Sequence, residues 1–321
     1  MIKLTKEIET PATDLSENLK DCVKISYVVP AFNEESSILN TLQRLIKILS
    51  ETGITYEIIL VNDGSRDKTI ELSAQFPEVR VINHPVNIGY GNALKSGIKN
   101  ARYEWIGIVD ADGSYPIEDI PQLIKEMQNG YDMVIGSRIN TAQMDKPVKK
   151  IFRWIYKTIL KLVVKNTIED ANSGFRMFSR DMAINLLPFL CGTFSFTTSL
   201  TILAMGNAFF VKHIPIQYSR RDGQSKVRHF RDSLRTLLYI VQGITFFNPI
   251  KFFMILAFCM ILAVCIPAMF LALFRMPTLS LYYMIFGTTV TLLIAIGVLG
   301  DIIRISLMKV AAKISQEQNN K

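Results

Sequence analysis

The sequence predicts an α/β domain on a mostly parallel sheet, followed by interfacial helices and a hairpin of two membrane-spanning helices. Three features of the 321 residues point there. Between Ile25 and Ile135, short β-rich runs alternate with segments of helical spacing. Each early run stops at a polar or acidic cluster. Beyond residue 250, two long uncharged stretches follow one another almost without a break.

Ile25–Val29 opens the alternation as a β-rich run, and Glu35–Leu49 follows with apolar residues at Ile38, Leu42, Leu45, Ile46 and Leu49, one helical face. Tyr56–Val61 reads as a second strand and Thr69–Gln75 as a helix. Val79–Asn83, Gly91–Asn100 and Trp105–Val109 continue as strand, helix and strand. Ile117–Asn129 is helical and Met133–Ile135 extended. Such an order implies parallel strands covered on both faces. Ligands of such sheets bind beyond the carboxyl ends of the strands. There the sequence places Pro30-Ala31-Phe32-Asn33-Glu34-Glu35, Val61-Asn62-Asp63-Gly64-Ser65, Asn87-Ile88-Gly89-Tyr90-Gly91 and Asp110-Ala111-Asp112.

The composition excludes other classes. At 49% hydrophobic and 20% charged residues, the chain is too apolar for a disordered protein. Four cysteines in 321 residues are too few for a disulfide scaffold. The formal net charge of +8 could suggest nucleic acid. Its location argues against that. Residues 1–219 carry 24 basic and 24 acidic side chains, whereas residues 220–251 carry seven basic and two acidic ones. The excess flanks the apolar stretches, so the expected surface is membrane lipid, with no nucleic-acid partner.

Phe252–Phe274 has 23 residues without a charge and Leu279–Gly300 has 22. Each exceeds the ~20 residues that cross a hydrocarbon core as a helix. Arg275–Thr278 leaves room only for a tight turn, and Pro267 is expected to kink the first helix. Arg228, Arg231, Arg235 and Lys251 precede the hairpin, and Arg304, Lys309 and Lys313 follow it. The positive-inside bias then puts both termini in the cytoplasm of a protein of the inner or plasma membrane. The polar stretch Met1–Asp21 has no apolar core of a signal peptide. In Val148–Asn166, Lys149, Arg153, Lys157, Lys161 and Lys165 mark one helical face, with Ile151, Phe152, Ile155, Ile159, Leu162 and Val163 opposite. This is the pattern of a basic interfacial helix.

Asp110-x-Asp112 directly follows an apolar strand. Paired carboxylates at a strand end are hard oxygen ligands suited to Mg²⁺ or Mn²⁺ beside a substrate phosphate. Gly89-x-Gly91, with Asp110 about twenty residues on, superficially matches a dinucleotide fingerprint. The third glycine is missing, a loop intervenes after the strand, and Asp110 is paired. A glycine-rich helix start near a diphosphate is the better reading. His84, His213 and His229 lack metal-ligand spacing and read as structural or solvated.

PAFNEE, VNDGS, NIGYGNALKSG, DADGSYP, VIGSR, SGFR and RRDGQSK, in this order from Ile25 to Lys226, resemble the family 2 glycosyltransferases. The likeness is strongest to the branch of dolichyl-phosphate mannose synthase and bacterial polyprenyl-phosphate glycosyltransferases. The resemblance implies a GT-A fold, a nucleotide-diphosphate sugar donor (UDP- or GDP-), a polyprenyl phosphate acceptor and inverting transfer. It places Pro30, Ala31, Asn33, Glu34, Asp63, Ser65, Gly89, Gly91, Lys95, Asp110, Ala111 and Asp112 around the donor, with Asp63 reading the base. Asp110 and Asp112 would hold Mg²⁺ or Mn²⁺. Relatives often carry Gln where Ser114 stands, and an acid in the segment that here reads Phe194–Ser199.

By the same resemblance, Arg138, Arg220, Ser225 and Lys226 bind phosphate or acceptor, and Asp112, Asp170 and Arg176 are catalytic. Asp170 could orient the acceptor, support the metal, or pair structurally with Arg176. The expected division is an N-terminal extension 1–24, a GT-A domain 25–228 that includes the interface helix 148–166, a juxtamembrane helix 229–250, membrane helices 251–305 and a tail 306–321. Related proteins often form homo-oligomers through the membrane region. Two competing readings are a processive polysaccharide synthase and a non-enzymatic nucleotide-sugar-binding scaffold. Lys150-Ile151-Phe152-Arg153-Trp154 lacks the glutamine of the synthase motif, and two helices cannot form a secretion channel. The aspartate pair argues against the scaffold.

Overall fold

A computed structural model describes residues 23–139, 168–193, 195–219 and 249–319. The chain divides into two compact units. The first comprises Met1–Asn140, Ser173–Ala183 and Val211–Gln224, and the second comprises the remainder.

The first unit is built on a seven-stranded sheet. Its strands are β1 (Lys24–Ala31), β2 (Thr55–Asn62), β3 (Val79–Asn83), β4 (Trp105–Ile108), β5 (Met133–Arg138), β6 (Arg176–Ser179) and β7 (Val211–Ile216), in the order β3-β2-β1-β4-β6-β5-β7. Every neighbouring pair is parallel except those made by β6, which runs antiparallel to β4 and β5. β1 lies inside the sheet, and all its residues from Ile25 onward are buried. A near-continuous apolar run is what a strand covered on both faces requires.

Helix α1 (Ile38–Glu51) buries Ile38, Leu42, Leu45 and Leu49, the stripe expected at helical spacing. Each such side chain contributes roughly 1.5–3 kcal/mol on leaving water. α2 (Thr69–Ser73) is a short turn of helix, and α3 (Tyr90–Asn100) packs against β1. At that contact a Cβ on Gly97 would lie 2.2 Å from Val28 Cγ1, so only glycine allows the approach. α4 (Ile120–Gln128) adds Ile120, Leu123, Ile124 and Met127 to the core. The alternation expected from Ile25 to Ile135 is therefore the observed one. β5 ends at Arg138, where Gly136, Ser137 and Arg138 pair with Ile214–Ile216 of β7.

In the second unit, α6 (Phe196–Gly206) is buried from Phe196 to Ala204. It follows α5 (Arg180–Leu186), which spans the boundary in sequence. Two hydroxyls of α6 are satisfied within the helix. Ser199 Oγ donates to the Phe196 carbonyl at 2.8 Å, and Thr201 Oγ1 donates to the Thr197 carbonyl at 2.8 Å.

Helix α7 (Pro249–Met260) passes through a π-helical turn, Ile261–Cys265, into α8 (Ile266–Leu273). After a turn through Arg275, α9 runs from Pro277 to Asn319. Phe253–Leu273 and Pro277–Gly300 are long and apolar enough to cross a membrane, and their side chains are largely exposed. The irregularity falls where Pro267 was expected to kink the helix. Proline lacks an N–H and leaves the carbonyl four residues back without its helical donor. That carbonyl, Ala263 O, accepts Tyr283 Oη–H from α9 at 2.9 Å. Ser280 Oγ donates to the Ala268 carbonyl at 2.6 Å, and the Cβ position of Gly287 lies 2.6 Å from Val264. The helix also continues without interruption through residues 306–319, the expected tail.

Candidate active site

Chain order reverses between β1 and β4. β2 and β3 lie on one side of β1, and β4 returns on the other. In open α/β sheets the ligand crevice lies outside the carboxyl ends of the strands at such a switch point.

The loop after β1 is fastened to the loop after β2. Asn33, in the left-handed region at φ 52°, donates its N–H to Ser65 Oγ at 3.0 Å and accepts the Arg66 N–H on Oδ1 at 2.8 Å. Glu34 N–H reaches Thr69 Oγ1 at 2.9 Å, and Glu35 N–H reaches Asp67 Oδ2 at 3.1 Å. Although burial raises the Asp67 carboxyl, hydrogen bonds from Thr69 and Glu35 hold it below its ordinary range. Pro30 and Ala31 pair with Val61 and Asn62 inside the sheet, and Asn62 Oδ1 accepts the Ser65 N–H at 3.0 Å. PAFNEE and VNDGS thus form one wall.

Asp63 stands at the end of β2, and its buried carboxylate gathers the next loop. Oδ1 accepts from His84 Nδ1 at 2.7 Å and from the Ile88 N–H at 3.1 Å, while Oδ2 accepts the Gly89 N–H at 2.8 Å. The N-terminal edge of α3 therefore already carries a carboxylate. That carboxylate engages the N–H groups of Ile88 and of Gly89, a residue expected among the donor contacts. Gly91 is buried in the first turn of α3, and Lys95 is half-buried one turn later.

Beyond β4, Asp110 and Asp112 are each held by a hydroxyl. Tyr90 Oη donates to Asp110 Oδ1 at 2.8 Å. Desolvation, then the adjacent Asp110 charge, push the Tyr90 hydroxyl well above its ordinary range, so it stays a donor. Ser114 donates both its N–H, at 3.1 Å, and its Oγ–H, at 2.5 Å, to Asp112 Oδ1. Ala111 between them is buried, and its carbonyl accepts Thr41 Oγ1–H at 3.1 Å.

The antiparallel β6 brings the Ser173–Arg176 segment to the same edge, since Arg176 pairs with Ile108. A Cβ on Gly174 would lie 2.7 Å from Asp110 Oδ2, so the carboxylate rests directly on glycine backbone. Gly174 N–H donates to Tyr115 Oη at 2.7 Å. The Tyr115 ring stacks on Phe175 at 5.7 Å and meets Tyr218 edge-on at 5.2 Å. Arg138, at the end of β5, lies 5.2 Å above the Tyr218 ring, a cation–π contact.

Arg176, expected to be catalytic, lies in the interior. It is 0% exposed, and its Nε and Nη2 donate to the Ser173 carbonyl at 2.9 and 2.6 Å. Held this way, it ties the 173–176 turn internally and lends its charge to the surroundings of Tyr90. Asp170 belongs to the second unit, where it accepts the Asn172 N–H at 3.2 Å. In that unit Asn172 Oδ1 also accepts from Thr198 Oγ1. Arg220, Ser225 and Lys226 lie outside the described residues, as do Phe194, the helix expected at 148–166, and residues 229–248.

Tyr90, Tyr115, Tyr218, Gly174 and His84 complete the site and were not singled out for it by sequence. Tyr90, Tyr115 and Gly174 stand inside motifs that were recognised, which was the available signal.

The residues fit a divalent cation at Asp110 and Asp112. Both groups are hard carboxylates held at one sheet edge, and the cradle over Gly174 has no room for a larger side chain. No cluster of three or more His, Cys, Asp or Glu occurs among the described residues. Further ligands would come from donor phosphate and water, the usual arrangement for Mg²⁺.

The model of the family "Glycosyl transferase family 2" matches residues 26–187. A dolichyl-phosphate beta-glucosyltransferase of Trichomonas vaginalis is 30% identical over 225 residues, covering 64% of this chain and 66% of the relative. An undecaprenyl-phosphate 4-deoxy-4-formamido-L-arabinose transferase of Shewanella sediminis is 33% identical over 211 residues, covering 63% and 61%. The chain thus spans about two thirds of the length of these relatives. Among solved structures, glucosyl-3-phosphoglycerate synthase of Mycobacterium tuberculosis, crystallised with Mn²⁺, UDP and phosphoglyceric acid, superposes with a TM-score of 0.58 at 17% identity. The overlap covers 70% of this chain and 79% of that one, and at this identity it speaks for the fold alone. With seven motifs in order and a GT-A-like sheet beneath them, the chain belongs to glycosyl transferase family 2 and is a glycosyltransferase.

Proposed function

We propose that this glycosyltransferase moves one sugar from a UDP- or GDP-sugar to a polyprenyl phosphate at the cytoplasmic face of the inner or plasma membrane. The product is a polyprenyl-phosphate sugar for glycan or glycolipid assembly. The observation that carries the reading is the pair Asp110 and Asp112, held by Tyr90 and Ser114 at the switch point of the sheet, in a chain that also has two long apolar helices. The names of the curated relatives support the acceptor class. Basic residues on both sides of the hairpin support the cytoplasmic placement.

In this reading the fastened loops of residues 30–35 and 62–69 receive the nucleoside, and Asp63 shapes the base end of the crevice. Asp110 and Asp112 would hold Mg²⁺ or Mn²⁺, which supplies charge neutralisation for the diphosphate leaving group. Arg138, Arg220, Ser225 and Lys226 are assigned to phosphate, where arginine offers paired donors and lysine a point charge. Tyr115 and Gly174 fix the floor beneath Asp110. Asp170 is assigned to acceptor orientation.

The reaction needs no dedicated base. A phosphate monoester has its second pKa near ~6, so the lipid phosphate is largely dianionic at neutral pH. Its oxygen attacks the anomeric carbon as the bond to the nucleoside diphosphate breaks. A single in-line displacement inverts that carbon.

The test offers UDP- and GDP-sugars with undecaprenyl phosphate and Mg²⁺ or Mn²⁺ to the full chain in detergent. A lipid-linked product of inverted configuration, lost in Asp112→Ala, is expected. Retention of the donor configuration would overturn the displacement. Full activity in Asp112→Ala would overturn the carboxylate assignment.

A further inference from the structure

We infer that His84 is a positioning residue for donor binding, locking the Asp63 carboxylate and the 84–89 loop onto helix α3 through Ser96. The inference rests on the reading of the crevice as a nucleotide-sugar site.

Three elements meet at this imidazole. Its backbone N–H donates to the Asn62 carbonyl at 2.9 Å, extending the β2–β3 ladder by one rung. Its Nδ1 contacts Asp63 Oδ1 at 2.7 Å, and its Nε2 contacts Ser96 Oγ at 2.9 Å in the middle of α3. The His84 and Asp63 side chains are only 10% and 4% exposed, so both contacts are shielded from water.

The direction of the chain follows from chemistry. Asp63 Oδ1 already accepts from the Ile88 N–H, and a carboxylate offers only acceptor sites. Nδ1 therefore donates, and Nε2 is left to meet the Ser96 hydroxyl, which can either donate or accept. The order Ser–His–Asp matches a hydrolytic triad in residue type. Here the serine lies within a helix and the aspartate binds two backbone N–H groups. The array is a clasp on the loop.

The clasp acts on one end of the crevice. Asp63 holds the loop through the Ile88 and Gly89 N–H groups, and His84 holds Asp63. Asp110 and Asp112 have their own hydroxyl partners, Tyr90 and Ser114. Loosening the clasp therefore lowers affinity for the donor nucleotide more than it slows the chemical step.

The test uses full-length His84→Ala, His84→Asn, His84→Gln and Ser96→Ala. An asparagine amide can stand in for Nδ1 and keep the Asp63 contact, whereas a glutamine amide stands nearer Nε2 and keeps only Ser96. Donor KM is expected to rise about tenfold in His84→Ala and His84→Gln, with kcat within about threefold and the acceptor KM unchanged. His84→Asn is expected to recover donor KM to within about threefold of wild type, and Ser96→Ala to lie between. A fall in kcat at constant donor KM, or no recovery in His84→Asn, would overturn the inference. Calorimetric titration of UDP and GDP separates the two ideas. A wild type that binds nucleotide about tenfold more tightly than His84→Ala, yet glycosylates no lipid phosphate, refutes the proposed reaction and keeps the clasp. Equal nucleotide affinity in an active enzyme refutes the clasp alone.

Discussion

Tyr90 donates its phenolic hydrogen to Asp110 Oδ1 at 2.8 Å, tying the first residue of a glycine-rich helix to the first carboxylate of the D-x-D pair. Hydrogen bonds to charged groups contribute about 1.5–3 kcal/mol. Tyr90→Phe is therefore expected to weaken Mn²⁺ binding in the presence of UDP or GDP by roughly tenfold or more, with an unchanged circular dichroism spectrum. Electron paramagnetic resonance of free Mn²⁺ reads the affinity directly. Equal affinity in the variant would show that the hydroxyl does not hold the carboxylate in its working position.

Gly174→Ala tests the same carboxylate from below. The added methyl would sit 2.7 Å from Asp110 Oδ2 and 2.8 Å from Oδ1, closer than Cβ contacts allow. Displacing a reacting group by about 1 Å can cost on the order of a hundredfold in rate. Initial rates should fall by about that factor, with the thermal midpoint lowered only modestly.

Tyr27→Phe should stabilise the first unit. Tyr27 is 0% exposed, and its hydroxyl has no hydrogen-bond partner among the described residues. An unsatisfied buried hydroxyl costs about 1–3 kcal/mol, which the phenylalanine avoids. The unfolding midpoint should rise by a few degrees, about 2–4 °C per kcal/mol for a unit of this size. A lower midpoint would reveal a partner that the tyrosine needs.

Tyr283→Phe should loosen the hairpin. Its hydroxyl serves the Ala263 carbonyl that Pro267 leaves without a helical donor. Interhelical hydrogen bonds in membranes contribute about 0.6–2 kcal/mol, a small but measurable loss in a detergent unfolding titration. Replacing Pro267 by Ala in the same background restores an N–H to that carbonyl and should recover the loss.

The strands β1 to β4 were legible because their apolar runs end in sharp polar clusters, and the carboxylates were legible because they follow one of those runs. β6 escaped because Arg176-Met177-Phe178-Ser179 is too short to show a period and begins with a charge. β7 escaped because Pro215 interrupts it, which only an edge position tolerates. The same topology explains Arg176. As a cation in a family motif it suggested a phosphate contact, but the antiparallel strand carries its side chain into the interior. Tyr90 carries no chemical signature in the sequence, and only the fold brings its hydroxyl to Asp110. Asp63 was legible as a site residue, whereas its three loop contacts depend on residues 21 to 26 positions away.

The contact of Gly97 with Val28 has a consequence for the width of the opening at the sheet edge. At Gly97, helix α3 rests on β1 with only the Val28 side chain between the two backbones. Tyr90 begins that helix and Pro30 lies near the end of that strand, two walls of one opening. The gauge of the opening is thus set two helical turns away from its mouth, by a methyl group that is missing. Widening the opening therefore begins at residue 97, in the helix–strand contact.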